Sequence, residues 1–448
     1  MAGMFATMMR KRRELRANQK LTRSQLETLK QQKFRQLVAH AQQHSPYYER
    51  LIREHQIDVT TCTPQDFPEL TKSILIEHFD EIVTDRRLTR QAISEFLSHS
   101  TNPNELLFNE YHVVHTSGSS GQIGYFVFSE QDWANGITQG PRERRRPARS
   151  IGWQRPRIAY FAAVGGHFAG VSMTSSMQRG IFKYLVRLKL LEVNDPISKI
   201  IKQLNEFQPH ILIGYTTAIR ILAEKQLAGD LKIAPVAVST GGEAQSAADR
   251  DLFGQAFNCV IANTYGCSEH MMMGYSRPDG TTMVLYDDDL IYEFYAEHSI
   301  VTNLFNYTLP LIRYRMSDIF RPVANDNSAD PYLLVHSLVG RSEMVPSFTN
   351  REGVTDFISA FTIIELFIPG VSQFQMRLLD ATHFKFAICL ETGLDDSDRA
   401  AAITATETRL KDILNQKHMD NVQFTIAVVD SLAVNPKTGK FQLIVKAG

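Results

Sequence analysis

Short apolar runs alternate with amphipathic helical stretches between about residues 155 and 265, and this alternation constrains the fold more than any other feature. Four runs have the length and composition of buried strands, namely RIAYFAAV (157–164), ILIGY (211–215), VAVST (236–240) and CVIANTY (259–265). Between them, one helix is predicted to begin at Asp195-Pro196 and two more to cover about 217–227 and 246–256. Such an order predicts an α/β fold, a parallel or mixed sheet with helices on both faces. Ligands of these sheets bind beyond the carboxyl ends of the strands.

The last hundred residues follow a different order. QFQMRLLD and HFKFAICLE alternate in polarity like strands, residues 394–418 have a helical pattern, and VQFTIAVVD is strand-like. This β-β-α-β order predicts a small α+β domain. A chain of 448 residues is too long for one core, so we expect a large N-terminal domain over residues 1–340 and a small C-terminal domain over residues 341–448.

The first fifty residues are predicted to be mainly helical. A helix over residues 22–52 begins with the capping-box pattern of Ser24 and Glu27 and breaks at Pro46. Its apolar stripe, which we expect to pack on the main body, contains Leu26, Leu29, Phe34, Leu37, Val38 and Ala41. The basic start, MAGMFATMMRKRREL, is expected to be frayed and solvated, with an interfacial role as the alternative. An exposed N-terminal helix would favour a homodimer, and the sequence leaves the oligomeric state open.

Composition excludes several classes of protein. Lys and Arg together number 48, as do Asp and Glu, so the chain lacks the basic excess of a general nucleic-acid binder. The four cysteines form no CxxC pair and no His/Cys cluster of zinc-finger spacing, which argues against a disulfide framework and for the reducing cytoplasm. The sequence has no run of about 18 apolar residues, so it predicts no transmembrane helix.

A Gly/Ser-rich stretch, HTSGSSGQIG from His115, leads directly into an apolar strand-like run. Clustered glycines let backbone N–H groups approach an anion, and hydroxyl groups add donors, so TSGSSG at 116–121 can hold phosphates. The stretch is not a Walker A loop, because GxxxxGK[ST] is absent. Taken alone, it is more typical of a flexible surface loop.

Five further motifs follow this loop in order: STGGEA (239–244), TYGCSEH (264–270), LPLIRYRMSDI (309–319), VGRSE (339–343) and NPKTGKFQ (435–442). With TSGSSG they resemble the adenylate-forming superfamily, the acyl-CoA synthetases and their relatives, over nearly the whole chain. HSPYYERL and LPLIRYRMSD are most similar to the phenylacetate–CoA ligase branch. The resemblance implies that ATP and Mg²⁺ activate a carboxylic acid, aromatic by analogy with that branch, to an acyl-adenylate, and that CoA then takes the acyl group as a thioester.

The resemblance also implies a nucleotide site. The β- and γ-phosphates of ATP would be held by Thr116, Ser117, Gly118, Ser119, Ser120 and Gly121. The remaining nucleotide-binding positions would be Gly241, Gly242, Glu243, Tyr265, Gly266, Ser268, Asp318 and Arg341. Among them, Tyr265 would stack on the adenine and Asp318 would accept hydrogen bonds from the ribose hydroxyls. Core packing is the alternative for Tyr265, and an ion pair with Arg313 or Arg315 for Asp318.

Two residues are expected to act on the reacting groups. Adenylation brings two anions together, so a metal and a positioned lysine must neutralise the developing charge. By resemblance, Glu269 would hold Mg²⁺ and Lys440 would bridge the carboxylate and the α-phosphate. The alternatives are a helix N-terminal carboxylate for Glu269 and a solvated turn lysine for Lys440. His167 and Tyr215 are expected at the acyl pocket, although His167 is also typical of a plain turn histidine.

The chain departs from the family pattern at three places. The phosphate loop continues with Gln122 where relatives have Gly-Lys-Pro, and Ser342-Glu343 stands at the hinge that often holds Asp. The hairpin that shapes the thiol tunnel is not legible in MVPSFTNREGVTDFISAF. The acceptor therefore stays open between CoA, a carrier-protein thiol, an amine and a hydroxyl. RERRRPAR (142–149) is either a grip for a CoA phosphate or a solvated charge run. An alternative of another class is a nucleotide-binding regulatory protein on a ligase scaffold.

Overall fold

The computed structural model of the chain describes residues 2–116, 123–140, 151, 154–278, 280–316, 318–324, 331–336, 346–358, 362–363, 366, 368–391, 393–432 and 443–446. The α-helices among them are α1 (Ala2–Asn18), α2 (Arg23–His44), α3 (Pro46–Glu54), α4 (Lys72–Glu77), α5 (Phe79–Ile82), α6 (Arg90–His99), α7 (Glu130–Ile137), α8 (Ala169–Ser175), α9 (Phe182–Leu185), α10 (Ile197–Phe207), α11 (Thr216–Leu227), α12 (Ala247–Phe257) and α13 (Asp396–Gln416). None of these helices is both long and apolar enough to cross a bilayer.

The strands of the described residues are β1 (Tyr111–His115), β2 (Tyr125–Ser129), β3 (Arg157–Ala162), β4 (Arg187–Glu192), β5 (Ile211–Tyr215), β6 (Ala237–Gly241), β7 (Val260–Cys267), β8 (Met271–Ser276), β9 (Thr282–Leu285), β10 (Leu290–Phe294), β11 (Ser299–Asn303), β12 (Tyr314–Met316), β13 (Pro322–Val323), β14 (Leu334–His336), β15 (Ser347–Thr349), β16 (Thr355–Phe357), β17 (Val371–Leu378), β18 (His383–Leu390), β19 (Gln423–Val428) and β20 (Ile444–Lys446). Each of the four predicted strand runs corresponds to one of them.

A nine-stranded mixed sheet in the order β13-β14-β9-β8-β7-β6-β5-β3-β4 organises the larger part of the chain. Five neighbouring strands, β4, β3, β5, β6 and β7, run parallel. Strands β8, β9, β14 and β13 continue the sheet in antiparallel pairing. The predicted α/β class with a mixed sheet is therefore confirmed. Because β5, β6 and β7 are parallel, their carboxyl ends meet at one edge, which brings Tyr215, Gly241 and the TYGCSEH motif close together.

Helices α10, α11 and α12 cover the parallel half because each has one apolar stripe. Ile197, Ile200 and Leu204 of α10 repeat at three- and four-residue spacing and are buried. The sequence predicted that this helix begins at Asp195-Pro196, and in the structure Pro196 is the N-cap of α10 and Ile197 is its first residue. Proline has no side-chain oxygen to cap the helix. The carboxylate of Asp356 supplies that acceptor from β16, 2.8 Å from the backbone nitrogen of Ile197.

The C-terminal residues form a separate four-stranded sheet in the order β19-β18-β17-β20, against which α13 packs. The predicted β-β-α-β order of β17, β18, α13 and β19 is confirmed, and the small α+β unit has its own apolar core, which includes Phe348, Met376, Phe386, Leu410 and Ile444. The family's hairpin is not legible in the sequence of the segment before it, and this segment nevertheless forms a hairpin. Strands β15 and β16 pair antiparallel around a turn at residues 350–353.

The first helix is not frayed, which corrects the prediction made for the N-terminus. Leu15 and the ammonium-bearing side chain of Lys11 are buried, so one face of α1 packs on the body of the protein. Helix α2 ends before Pro46 and α3 begins there, as predicted. The capping box at the start of α2 uses Thr22 and Gln25 instead of Ser24 and Glu27.

A buried acidic turn, which joins β9 to β10 and contains Asp287, Asp288 and Asp289, holds α1 and α2 in place. Lys11 and Lys33 each place Nζ 2.7 Å from an oxygen of Asp289. Burial opposes the charged form of Lys33, but Asp289 and other carboxylates outweigh it and raise its pKa. The two helices are therefore attached to the sheet by buried ion pairs as well as by apolar contacts.

Removing one charge of this turn should destabilise the protein. We expect Asp289→Asn to lower the free energy of unfolding by about 3 kcal/mol, because the buried Lys11 and the partly buried Lys33 lose an anionic partner. The control is Glu407→Gln, which makes the same acid-to-amide change in the exposed pair with Lys411 and should cost less than about 1 kcal/mol. Urea denaturation measures both, and equal effects would contradict a structural role for the buried pair.

Candidate functional site

The TYGCSEH motif lies at the carboxyl end of β7 and in the turn that leads back into β8. Met271, the first residue of β8, has a positive φ of 58°, which closes this turn. Glu269 therefore lies in a turn between antiparallel strands, and the alternative of a helix N-terminal carboxylate is wrong. The hydroxyl of Ser268 donates to the carbonyl of His115 at 3.3 Å, so the turn is tied to the end of β1, where the phosphate loop starts.

Tyr265 and Asp318 are in direct contact. The phenol donates to Oδ2 of Asp318 at 2.7 Å, and the ring packs edge-on against Phe320 with centroids 5.4 Å apart. Burial, followed by the nearby carboxylate, raises the pKa of Tyr265, so the phenol remains protonated as a donor. Arg313 pairs with Glu293, and Arg315 pairs with Glu69, so these arginines use other carboxylates than Asp318.

Thr116 closes the mouth of the glycine-rich loop. Its backbone nitrogen donates to the carbonyl of Gly124 at 3.0 Å, and the nitrogen of Gly124 donates to Thr116 Oγ1 at 2.9 Å. The two ends of the loop are thus pinned beside each other, after β1 and before β2. The five other loop residues predicted to hold phosphate, Ser117 to Gly121, lie outside the described residues.

Lys72 is a site residue that the sequence reasoning missed. It is the first residue of α4, and its Nζ lies 3.4 Å from Thr116 Oγ1. Burial lowers the pKa of Lys72, and the carboxylate of Glu269 counteracts this shift. The ammonium group therefore lies within electrostatic reach of both the phosphate loop and Glu269. The only sequence signal was indirect, namely the missing loop lysine at Gln122.

Backbone pairing fixes the position of Lys72. The nitrogen of Leu70 donates to the carbonyl of Arg313, and the nitrogen of Arg315 donates to the carbonyl of Leu70, both at 2.9 Å. The hydroxyl of Thr71 then caps α4 through the nitrogen of Ile74. The segment thus runs beside β12, and β12 ends two residues before Asp318.

Glu269 is the carboxylate that could bind a metal. Burial raises its pKa, while the Cys267 thiol and Lys72 favour the ionised form. No group of three or more His, Cys, Asp or Glu side chains converges in the part of the chain that is described. A single carboxylate nevertheless fits Mg²⁺, which is commonly bound by one or two carboxylates together with the phosphates of a substrate.

The STGGEA motif follows β6 at the same edge of the sheet. Gly242 is exposed and has a φ of 78°, which suits glycine. The side chain of Glu243 points towards α11, where its oxygens accept from the nitrogen and the hydroxyl of Thr217 at 2.6 and 2.9 Å. Glu243 therefore fixes the loop against the amino end of α11, and its carboxylate does not extend into the open edge.

His167 and Tyr215, both predicted at the acyl pocket, are buried. Nε2 of His167 lies 2.9 Å from the hydroxyl of Ser100, and its ring packs on Phe96. Burial is the main cause that lowers the pKa of His167, to about 4, so this imidazole is neutral at pH 7. A backbone hydrogen bond joins His167 to the end of β1, because the backbone nitrogen of His115 donates to the carbonyl of His167 at 3.2 Å.

The structure thus brings together Lys72, Thr116, Tyr265, Ser268, Glu269 and Asp318 around the carboxyl ends of β1 and β7. Gly241 pairs with Thr264 of β7 in the sheet register, which places the STGGEA motif beside them, and Gly266 is part of β7 itself. Arg341 and Lys440 lie outside the described residues, as does the charge run at 142–149.

Comparison with known proteins supports the fold. No family model matches the chain. The structure of 2-hydroxyisobutyryl-CoA ligase in complex with 2-HIB-AMP and CoA, in the thioesterification state, is similar with a TM-score of 0.57 at 17% identity, over 96% of this chain and 91% of that chain. The same ligase with 2-HIB-AMP in the postadenylation state gives 0.53 at 15% identity, over 93% and 89%. These neighbours are adenylate-forming acyl-CoA ligases, and the chain has their fold.

One curated relative is also similar in sequence. Protein CapK of Staphylococcus aureus is 23% identical over 316 residues, which cover 65% of this chain. The chain spans 62% of the length of that relative.

The protonation of Glu243 should be visible in the pH dependence of stability. Burial raises its pKa from 4.5 to about 7, although hydrogen bonds from Thr217 lower it. Between these pH values the folded state keeps a proton that the unfolded chain has released, so stability decreases as the pH rises through this window. As the pH rises through this window, the free energy of unfolding of the wild type should fall by up to about 3 kcal/mol relative to that of Glu243→Gln, which cannot titrate. Parallel profiles of unfolding free energy from pH 4 to 8 would contradict this.

Proposed function

We propose that the protein is an ATP-dependent acid–thiol ligase that forms AMP. A carboxylate oxygen of the acid attacks the α-phosphorus of ATP, which forms the acyl-adenylate and releases pyrophosphate. A thiol then attacks the acyl carbon, forms the thioester, loses its proton and releases AMP. We further propose that the acid is aromatic, as in the phenylacetate–CoA ligase branch, and that the acceptor is CoA, which 2-hydroxyisobutyryl-CoA ligase binds in its complex.

The convergence of Lys72, Thr116 and Glu269 carries this proposal. A partly buried carboxylate, a lysine and the closed mouth of a Gly/Ser loop meet at the edge where α/β sheets bind ligands. Desolvation makes a partly buried carboxylate and ammonium costly, and a charged ligand would offset this cost. A triphosphate with Mg²⁺ is such a partner: Glu269 would hold the metal, and Lys72 would face the phosphates beside Thr116.

The Tyr265–Asp318 pair supports the nucleoside half of the site. The phenol uses its proton to orient Asp318, whose other lone pairs remain suited to the two ribose hydroxyls. The aromatic face of Tyr265 then offers a flat apolar surface for adenine next to Gly241 and Gly242. His167 and Tyr215, neutral and packed, would form the wall of the acyl pocket rather than exchange protons with the acid.

We propose that Lys440 belongs to a C-terminal domain, residues 341–448, that moves between the two steps. The four-stranded sheet β19-β18-β17-β20 and its own core support a unit that moves as a body, while Asp356 in β16 of the same region caps α10. A lysine carried by this unit would neutralise the charge of the first transition state and then leave, so that the thiol can approach. Arg341, at the start of the unit, would contact the ribose or a phosphate.

Acid-dependent ATP–pyrophosphate exchange tests the proposal. We would assay a panel of aryl and fatty acids, and then measure consumption of free CoA with the acid that supports exchange. Exchange with an aryl acid followed by CoA consumption is the expected result. Exchange without CoA consumption would favour a carrier-protein thiol or an amine as acceptor. ATP binding in calorimetry without exchange for any acid would favour the nucleotide-binding regulatory alternative and overturn the ligase.

Replacement of Lys440 should abolish most of the adenylation. We expect Lys440→Ala to lower the exchange rate by about 10²–10³-fold, because one positioned electrostatic stabiliser is lost. Lys446→Ala is the matched control, since this lysine is exposed on β20 of the same unit and should keep wild-type exchange. A Lys440→Ala protein with full activity would remove the catalytic role.

Lys72 should matter for the same step. We expect Lys72→Met to reduce kcat/KM for ATP in the exchange assay by about 10²-fold, because the phosphates lose a partly buried cation. Lys72→Arg keeps the charge but not the shape of the ammonium group, so it should recover part of the loss. Wild-type kinetics in Lys72→Met, with an unchanged melting temperature, would show that the lysine is not needed for ATP.

A further inference from the structure

Two basic segments that are distant in sequence meet on one face of the molecule. Residues 1–20 contain six Lys or Arg and one Glu, and residues 179–189 contain four and no acidic residue, although the whole chain is balanced. The ring of Phe5 in α1 lies 5.8 Å from the ring of Phe182 in α9. The two segments therefore form one continuous surface, which we call the basic apolar face.

This face also carries an unusual share of exposed apolar side chains. Of the eleven large apolar residues exposed in the described part of the chain, five lie here: Phe5, Met9, Ile181, Tyr184 and Leu185. Tyr184 is 65% exposed. Single exposed apolar residues need no explanation, but a cluster surrounded by polar groups is typical of an interaction surface.

The geometry of α1 separates its two faces. Phe5, Met9 and the exposed pair Arg12 and Arg13 follow one another at three- or four-residue spacing, so they form one ridge on the outside of the helix. Lys11, on the opposite side, is buried against Asp289. The ion pairs of the acidic turn thus fix α1 in an orientation that presents its apolar and basic ridge to solvent.

We propose that the basic apolar face docks the protein reversibly on an anionic lipid surface. Exposed Arg12, Arg13, Lys183 and Arg187 would attract the headgroups, and the apolar side chains between them would enter the headgroup boundary. The same face on a second copy would bring like charges together, which disfavours self-association. A nucleic acid would use the cations but would leave aliphatic side chains such as Ile181 and Leu185 in water.

Flotation of the full chain with vesicles tests this docking, which does not depend on the proposed ligase activity because it needs neither ATP nor an acid. We expect binding to phosphatidylcholine vesicles that contain phosphatidylglycerol, little binding to phosphatidylcholine alone, and loss of binding at high salt. The double variant Arg12→Gln/Arg13→Gln should weaken partitioning by about fivefold for each charge removed. Tyr184→Ser/Leu185→Ser should weaken it at constant charge.

Matched variants elsewhere keep the test specific. Leu227→Ser alters an apolar side chain that is 54% exposed at the end of α11, and Arg399→Gln/Arg409→Gln removes two exposed charges from α13. Both should bind vesicles like the wild type. Equal binding to neutral and anionic vesicles, or equal losses in these controls, would overturn the proposal. A dimer in light scattering that Tyr184→Ser/Leu185→Ser converts to monomer, without lipid binding, would reassign the face to self-association.

Discussion

The candidate site depends on a short backbone pairing between Leu70 and β12. Two hydrogen bonds of 2.9 Å, to the carbonyl of Arg313 and from the nitrogen of Arg315, hold the chain on each side of Leu70. On one side of this pairing, α4 starts with Lys72, and on the other, β12 leads to Asp318. A change in register would therefore displace Lys72 and Asp318 together. Backbone bonds buried in this way are geometrically strict, which suits a site whose groups must be in place before the substrate arrives.

Burial shifts the pKa values of the groups around this pairing. It raises the pKa values of Glu269 and Tyr265 and lowers that of Lys72. Glu269 and Lys72 each favour the charged form of the other, while burial disfavours the charged form of both. A cation at Glu269 would favour the carboxylate, while phosphates would favour the charged form of Lys72. The two costs of burial would thus be relieved by one ligand, and neither residue would be as well satisfied by a neutral molecule.

Much of the fold could be predicted from the sequence because it follows local periodicity. ILIGY coincides with β5, and the helix predicted over about 217–227 begins one residue earlier, at Thr216. Local rules are less decisive where two patterns overlap. In TRSQLE, both Thr22 with Gln25 and Ser24 with Glu27 have capping-box spacing, and the structure uses the first. The strand after TYGCSEH was also not distinguished from a helix, so the environment of Glu269 was left open.

The features that the sequence could not reveal depend on contacts between distant residues. Lys72 reaches the phosphate loop only because Leu70 pairs with a strand more than two hundred residues later, and no spacing rule connects them. The N-terminus looked frayed in the sequence because the carboxylate that pairs with Lys11, that of Asp289, lies in a turn far along the chain. The same ion pairs that corrected this prediction also fix the outer ridge of α1. The buried side of the helix thus determines what its exposed side can bind, and the basic apolar face follows from the fold rather than from composition alone.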